Sequence, residues 1–123
     1  MNGNKVFIDT NTAIYLLNGD IELAGILNQK RLHLSFISQL ELLGYAGISD
    51  NEKIQIEYML ENCVIIDINN AIKSEVIRLR RTYSFKLPDC IVAATAIYMD
   101  LPIITSDKGF KKIKDLSLMF YEK

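Results

Sequence analysis

The stretch Val6-Phe7-Ile8-Asp9-Thr10-Asn11-Thr12 runs three apolar residues into a carboxylate and then into a row of small polar side chains. The apolar triplet reads as a short buried strand, and Ala13, Ile14, Leu16 and Leu17 continue at helical spacing up to Asn18-Gly19-Asp20. Strand, polar turn and helix recur outward from there. A helix over 21–28 leads to a strand over Leu32-His33-Leu34-Ser35-Phe36, then to a helix from Ile37 to Gly44, a helix over 51–60 and a strand Cys63-Val64-Ile65-Ile66. From Asn70, the residues Ile72, Val76, Leu79 and Tyr83 keep helical spacing, ending before Leu87-Pro88. Pro88 suits the first turn of the next helix, which is apolar nearly all round over 90–99 and so is expected to be buried on most sides. Pro102-Ile103-Ile104-Thr105 reads as a fourth strand, 110–113 as a helical turn and Leu118-Met119-Phe120 as a fifth strand. Short apolar strands alternating with helices predict an α/β fold with a mainly parallel central sheet of about five strands.

The bulk properties fit one ordered domain over residues 1–123. Half the residues are hydrophobic and 24% are charged, with no low-complexity segment or linker. The longest apolar run, 90–99, is far shorter than the ~20 residues that cross a bilayer. Asp9, Asn11 and Asn18 break up any leader-like apolar region, so a cytoplasmic protein with no membrane role is expected. Cys63 and Cys90 lie in apolar surroundings without metal-binding spacing and read as free buried thiols, and His33, the only histidine, reads as a packed strand residue. The net charge of −1 excludes binding to nucleic acid by overall charge. It leaves room for local patches, Arg78, Arg80, Arg81 and Lys86 in one segment and Lys108, Lys111, Lys112 and Lys114 in another, although such clusters are commonly only solvated faces.

Four acids fall where chemistry is expected. In an open α/β sheet ligands bind outside the carboxyl ends of the strands. Asp9 follows the first strand directly, Glu41 is expected in the first turn of the helix after the second, and Asp107 follows the fourth. Asp89 opens the apolar helix that leads into that fourth strand. Each has a structural explanation: Asp9 as a helix cap, Ser38 with Glu41 as a capping box, Asp89 as a partner of the helix dipole, and Asp107 as a turn residue. Four carboxylates at one edge repel, however, unless they are protonated or bridged by a cation. Mg2+ or Mn2+ takes such oxygen ligands and pairs them with substrate phosphates, and Thr10, Asn11 and Thr105 would orient the carboxylates or bound water.

The apolar-Asp-Thr-Asn motif at Asp9, Thr10 and Asn11, the central Glu41, Leu87-Pro88-Asp89 leading into Ala-Ala-Thr-Ala, and the Thr-Ser-Asp-x-x-Phe motif over 105–110 together resemble a PIN domain of the VapC toxin type. The resemblance covers nearly the whole chain in the family's order. It implies a PIN-like three-layer α/β/α sandwich and a Mg2+- or Mn2+-dependent endoribonuclease, the toxin half of a type II toxin–antitoxin pair, dimeric and held inactive by a VapB-type antitoxin. The family's acidic positions fall on Asp9, Glu41, Asp89 and Asp107, with Asn11 and Thr105 in support. The last acid varies within the family.

On this reading Asp9 and Asp89 are the main metal ligands. Glu41 binds through water or orients the attacking water, and Asp107 completes a second metal site when substrate is present. Arg80, Arg81, Lys86 and Lys108 are the candidates for gripping RNA phosphates. The apolar helix over 90–99 adds a reason of its own to expect a homodimer. A receiver-type phosphoacceptor domain competes for the same length and fold, with Asp67 after the third strand. It wants an acidic pair after the first strand and finds Asp9-Thr10-Asn11 instead. A non-catalytic binding module is a further alternative, and a phosphohydrolase of the Asp-x-Asp-x-Thr kind fails because Asn11 stands where its second Asp belongs.

Overall fold

The computed structural model describes residues 3–123. Its elements, in chain order, are β1 (Lys5–Ile8), α1 (Thr10–Leu17), α2 (Ile21–Leu27), β2 (Arg31–Ser35), α3 (Phe36–Gly44), α4 (Asp50–Glu61), β3 (Val64–Ile66), α5 (Asn70–Thr82), α6 (Leu87–Met99), β4 (Ile103–Thr105), a 3-10 helix (Lys108–Lys112) and β5 (Leu118–Phe120). The five strands form one sheet in the order β3-β2-β1-β4-β5, and every neighbouring pair is parallel. The expected mainly parallel sheet is thus wholly parallel.

Alternation along the strands sorts the core into two layers. Phe7 and Ile103 face one side, where α5 contributes Ile72, Val76 and Leu79, and α6 contributes its run from Cys90 through Ala96. Val6, Ile8, Leu34 and Ile104 face the other, against Ala13 of α1, Leu23 and Leu27 of α2, Leu42 of α3, and Ile56 and Leu60 of α4. Helices therefore cover both faces, as buried parallel strands require. Each fully buried Phe or Ile here contributes about 1.5–3 kcal/mol.

The helix α6 is buried from Cys90 to Ala96 because its alanines let it lie close to both the sheet and α5. Its apolarity is satisfied inside the subunit, so it gives no separate reason for self-association. Asp100 ends the helix at φ +53, a left-handed residue that turns the chain into β4.

Helix starts show where local reading was off by a register. The helix expected from Ile37 begins at Phe36, with Ser35 as its cap: the Ser35 hydroxyl accepts from the Ile37 N–H at 3.1 Å. Ser38 and Glu41 form no capping box. The box forms instead at Ser49 and Glu52, where Glu52 N–H donates to Ser49 Oγ at 3.0 Å and Ser49 N–H to Glu52 Oε1 at 2.9 Å. Cys63 and Cys90 are free thiols, half-buried and buried respectively, and His33 is a buried strand residue. Among the described residues, no helix is long and apolar enough to cross a membrane.

Candidate active site

Strand order creates the site. From β1 the chain builds outward through β2 to β3, then crosses back over α5 and α6 to lay β4 on the other side of β1. The connections leaving β1 and β4 therefore part to opposite faces of the sheet. Helix α1 packs on one layer, and Phe110 of the 3-10 helix packs in the other. Such a switch point opens a crevice at the carboxyl ends of the two strands. Asp9 and Thr105 stand at the carboxyl ends of those two strands.

Asp9 is both cap and cleft residue. Its backbone is extended (φ −88, ψ 176), and its Oδ1 accepts from the Thr12 N–H at 2.9 Å and from Thr12 Oγ1 at 2.6 Å. Its Oδ2 accepts from Thr105 Oγ1 at 2.5 Å. The residue is 7% exposed and Thr12 and Thr105 are fully enclosed, so the carboxylate is fixed from below by hydroxyls and a backbone amide.

Glu41 lies in the second turn of α3 rather than the first, because the helix starts at Phe36. That register puts Ser38 and Glu41 on one face, three residues apart, toward α1. There Thr10 Oγ1 lies 2.6 Å from Glu41 Oε1 and 2.8 Å from the buried Ser38 hydroxyl. Asp89 is the third residue of α6, half-buried, with Pro88 before it. Asp107 caps the 3-10 helix: its Oδ1 accepts from Gly109 N–H at 2.8 Å, and its own N–H donates to Thr105 Oγ1 at 3.0 Å. Gly109 lets the chain pass close to that carboxylate, since a Cβ there would stand 3.1 Å from Asp107 Oδ1 and 3.4 Å from the Phe85 ring and would press the Asp107 side chain aside.

These residues share one cleft of about 130 Å3, lined by Asp9, Thr10, Asn11, Glu41, Asp89 and Asp107 with Pro88 and Val92. All four acids expected at the edge are thus brought together, with Thr10 and Asn11, while Thr105 lies beneath Asp9. The electrostatic consequence falls on Asp89. Burial pushes its carboxyl above the usual carboxylate range, and Asp107, Glu41 and Asp9 push it further, with Lys86 acting weakly against them.

Among the described residues, no three Asp, Glu, His or Cys side chains are gathered as a ready-made metal-binding group. The donors are nevertheless of the right kind: carboxylate oxygens around a polar cleft, with no thiol or imidazole, form a set for a hard divalent cation. Asp89, Glu41 and Asp107 are half-buried or exposed, so bringing them onto one ion asks for side-chain rotation rather than backbone movement.

Of the basic residues expected near RNA, Arg80 and Arg81 end α5, Lys86 precedes α6 and Lys108 opens the 3-10 helix, all exposed and none lining the cleft. Arg80 Nη1 donates to the Phe85 carbonyl at 3.2 Å. Sequence reasoning missed Thr12 and Ser38. The only available signal was spacing, three residues after Asp9 and three before Glu41. Asp67, which the receiver alternative needs, follows the edge strand β3, accepts from the Ile68 N–H at 2.8 Å and does not line the cleft.

An adjoining groove of about 460 Å3 runs between α1, α3 and α4. It is lined by Ile14, Leu17, Leu42 and Ile56 with Tyr45 and Glu52 at its rim, and it shares Thr10 and Glu41 with the acidic cleft.

The fold is a parallel α/β sheet with carboxylates at its switch point, and the chain belongs to the PIN domain family, whose model matches residues 6–116. It is similar to a toxin–antitoxin complex from Klebsiella pneumoniae, at 30% identity and a TM-score of 0.79 over 90% of this chain and 94% of that one. VapBC-1 from nontypeable Haemophilus influenzae is similar at 25% identity, with a TM-score of 0.82 over 97% and 99% of the two chains. VapBC2 from Rickettsia felis, bound to a DNA fragment from their promoter, shares the fold at 20% identity, with a TM-score of 0.86 over 96% and 99%. No curated protein matches the chain by sequence.

Proposed function

We propose that this chain is a VapC-type toxin, a Mg2+- or Mn2+-dependent endoribonuclease that hydrolyses RNA phosphodiester bonds and is restrained by a cognate VapB-type antitoxin. The observation that carries the reading is the single cleft holding Asp9, Glu41, Asp89 and Asp107, in which Asp89 is pushed up by burial and by the other three acids. A carboxyl pushed up by burial and neighbouring acids is relieved by a divalent cation.

Asp9 would hold the cation from the floor of the cleft, its orientation set by Thr12 and Thr105, and Asp89 would hold it from the wall. When bound, the ion lowers the pKa of a coordinated water and offsets charge on the phosphoryl group under attack. Glu41, steadied by Thr10, accepts a proton from the attacking water or orients it. Asp107, exposed at the cleft, adds its carboxylate to the donor set and completes a second site when substrate phosphate arrives. Asn11 lines the entrance and hydrogen-bonds the substrate. Lys86, Arg81 and Lys108 grip phosphates flanking the cut, and Arg80, tied to the Phe85 carbonyl, helps to shape that rim.

The antitoxin is placed in the apolar groove beside the cleft, because Thr10 and Glu41 belong to both and a segment lying there would also cover the acids. One domain over 1–123, a cytoplasmic location and a homodimer complete the proposal. The dimer contact is assigned to exposed apolar residues such as Leu40, Ile77, Leu87 and Tyr98 rather than to the buried turns of α6. Light scattering then reads twice the 14.0 kDa chain mass at micromolar concentration, and a lone 14.0 kDa species removes the dimer.

The function is tested with antitoxin-free protein and structured RNA. Cleavage is expected with Mg2+ or Mn2+ and is expected to stop on adding EDTA. Cleavage that continues in EDTA rules the mechanism out.

A further inference from the structure

The loop carrying Asp107 is held from behind by residues outside the cleft, and we propose that Tyr15 is a positioning residue for Asp107, acting through Ser106. The inference rests on the metal-site reading above. Tyr15 lies on α1, and its Oη accepts a hydrogen bond from Ser106 Oγ at 3.3 Å. Ser106 is the link between Thr105, whose hydroxyl meets both Asp9 and the Asp107 N–H, and Asp107 itself.

Tyr15 has its own support. Lys123 Nζ stands 4.8 Å from the centre of its ring and pairs with Asp20 Oδ2 at 2.9 Å. Tyr121 donates its hydroxyl to Asp20 at 2.9 Å and its backbone N–H to the Thr105 carbonyl at 2.8 Å. The segment after β5 thus grips both Thr105 and the support of Tyr15.

The Asp107 carboxylate bonds Gly109 N–H within its own loop. Its direction therefore follows the loop. Phe110 anchors the far end of that loop in the core, and two hydrogen bonds orient its near end: the Asp107 N–H on Thr105, and Ser106 on Tyr15. Removing the second leaves the bond to Thr105 to orient residues 106 and 107 ahead of the Phe110 anchor, with Asp107 exposed and subject to repulsion from Asp9, Glu41 and Asp89. Tyr15 does not line the cleft.

The test is Mn2+ binding to antitoxin-free protein, read from the electron paramagnetic resonance signal of the free ion. The proteins are wild type, Tyr15→Phe, Ser106→Ala, the two together, and Asp107→Asn with and without Tyr15→Phe. Each single change is expected to raise the Mn2+ Kd about two- to tenfold, the factor that one neutral hydrogen bond is worth. The double variant is expected to bind no more weakly than either single one, and Tyr15→Phe is expected to change nothing once Asp107 is Asn. A purely structural role would lower Tm and leave Kd alone. Unchanged Kd in Tyr15→Phe and Ser106→Ala, with wild type binding Mn2+, overturns the positioning role and spares the metal site. Equal losses from Tyr15→Phe with and without Asp107 also overturn it. A wild type that binds no Mn2+ overturns both readings. Ser106→Ala alone decides the matter if Tyr15→Phe fails to fold.

Discussion

Asp20 and Asp89 both sit at the start of a helix, and the protein treats them in opposite ways. Asp20 caps α2: the Leu23 N–H holds its carboxyl down to about 2, with the Lys123 ammonium and the Tyr121 hydroxyl helping against burial. Asp89 stands in the first turn of α6, where the helix dipole also favours its charge. It is nevertheless pushed up, because burial and three neighbouring carboxylates outweigh the dipole and Lys86. The enclosing environment is costly for both. Asp20 is given donors for its oxygens, whereas Asp89 is given acids. Asp20 is held by donors that serve the fold, whereas the repulsion around Asp89 is what a cation would relieve on the proposed function.

Exchanging acid for amide at each place breaks the contrast most sharply in activity. Asp9→Asn, Asp89→Asn and Glu41→Gln are each expected to lower RNA cleavage by more than about a hundredfold, beyond the 10–100-fold that even residues supporting a metal ligand command. Asp20→Asn is expected to leave the cleavage rate per folded molecule within a fewfold of wild type. Single-turnover cleavage of one RNA by all four variants decides it. Full cleavage by Asp9→Asn would mean that the carboxylate after β1 is a cap and nothing more, since Asn caps as well as Asp.

A second contrast concerns what fixes the cleft from beneath. Thr12 is fully buried, and its hydroxyl reaches Asp9 Oδ1 at 2.6 Å and the Ile104 carbonyl at 3.1 Å. Thr12→Val keeps the volume but leaves those acceptors short of a donor, which costs about 1–3 kcal/mol. Urea unfolding measures this loss. Thr10→Val removes the contact to the exposed Glu41 and is expected to cost less than Thr12→Val, while still weakening Mn2+ binding. Equal losses of stability would mean that the floor and the rim of the cleft are held alike.

These side chains also mark the limit of what the sequence made legible. The apolar run ending in Asp9 fixed β1, the turn and α1, because strand burial and capping are local. The alternation of strands with helices was enough for a parallel sheet, though not for the order β3-β2-β1-β4-β5, which depends on how the α5–α6 crossover packs. Ser35 was read into its strand and Ser38 as the cap because Phe36 fits a strand and a helix start equally well. The error moved Glu41 by a turn and hid Ser38 as a partner of Thr10. Thr12 carries only its spacing after Asp9, and nothing local marks the tie from Ser106 to Tyr15. Their roles come from contacts with Ile104 and Tyr15, which only the assembled sheet brings near.

The smallest effect is the one that tests the opening contrast directly, in the metal-free protein, through pH. Asp20 has a folded pKa of about 2 against an ordinary value of 3.8, so the unfolded chain takes up its proton first as pH falls. Its stabilisation is complete above about pH 4 and disappears as pH drops toward 2. Asp89 has the opposite sign. Its folded pKa lies above 3.8, so the folded chain holds the proton longer, and a penalty develops as pH rises from 3.8 through the folded value. In EDTA at neutral pH, Asp20→Asn is therefore expected to melt below wild type and Asp89→Asn at or above it. On acidification the Asp89→Asn advantage is expected to vanish first, by about pH 4, while the Asp20→Asn deficit shrinks only between about pH 4 and 2. Adding Mn2+ at neutral pH is expected to reverse the Asp89 comparison, because bound ligand stabilises wild type by about 2.7 kcal/mol at a hundredfold excess over Kd and the variant by less. An Asp89→Asn protein less stable than wild type in EDTA at neutral pH would mean that the dipole of α6 outweighs the neighbouring acids, and that the cleft carries no repulsion for a cation to relieve.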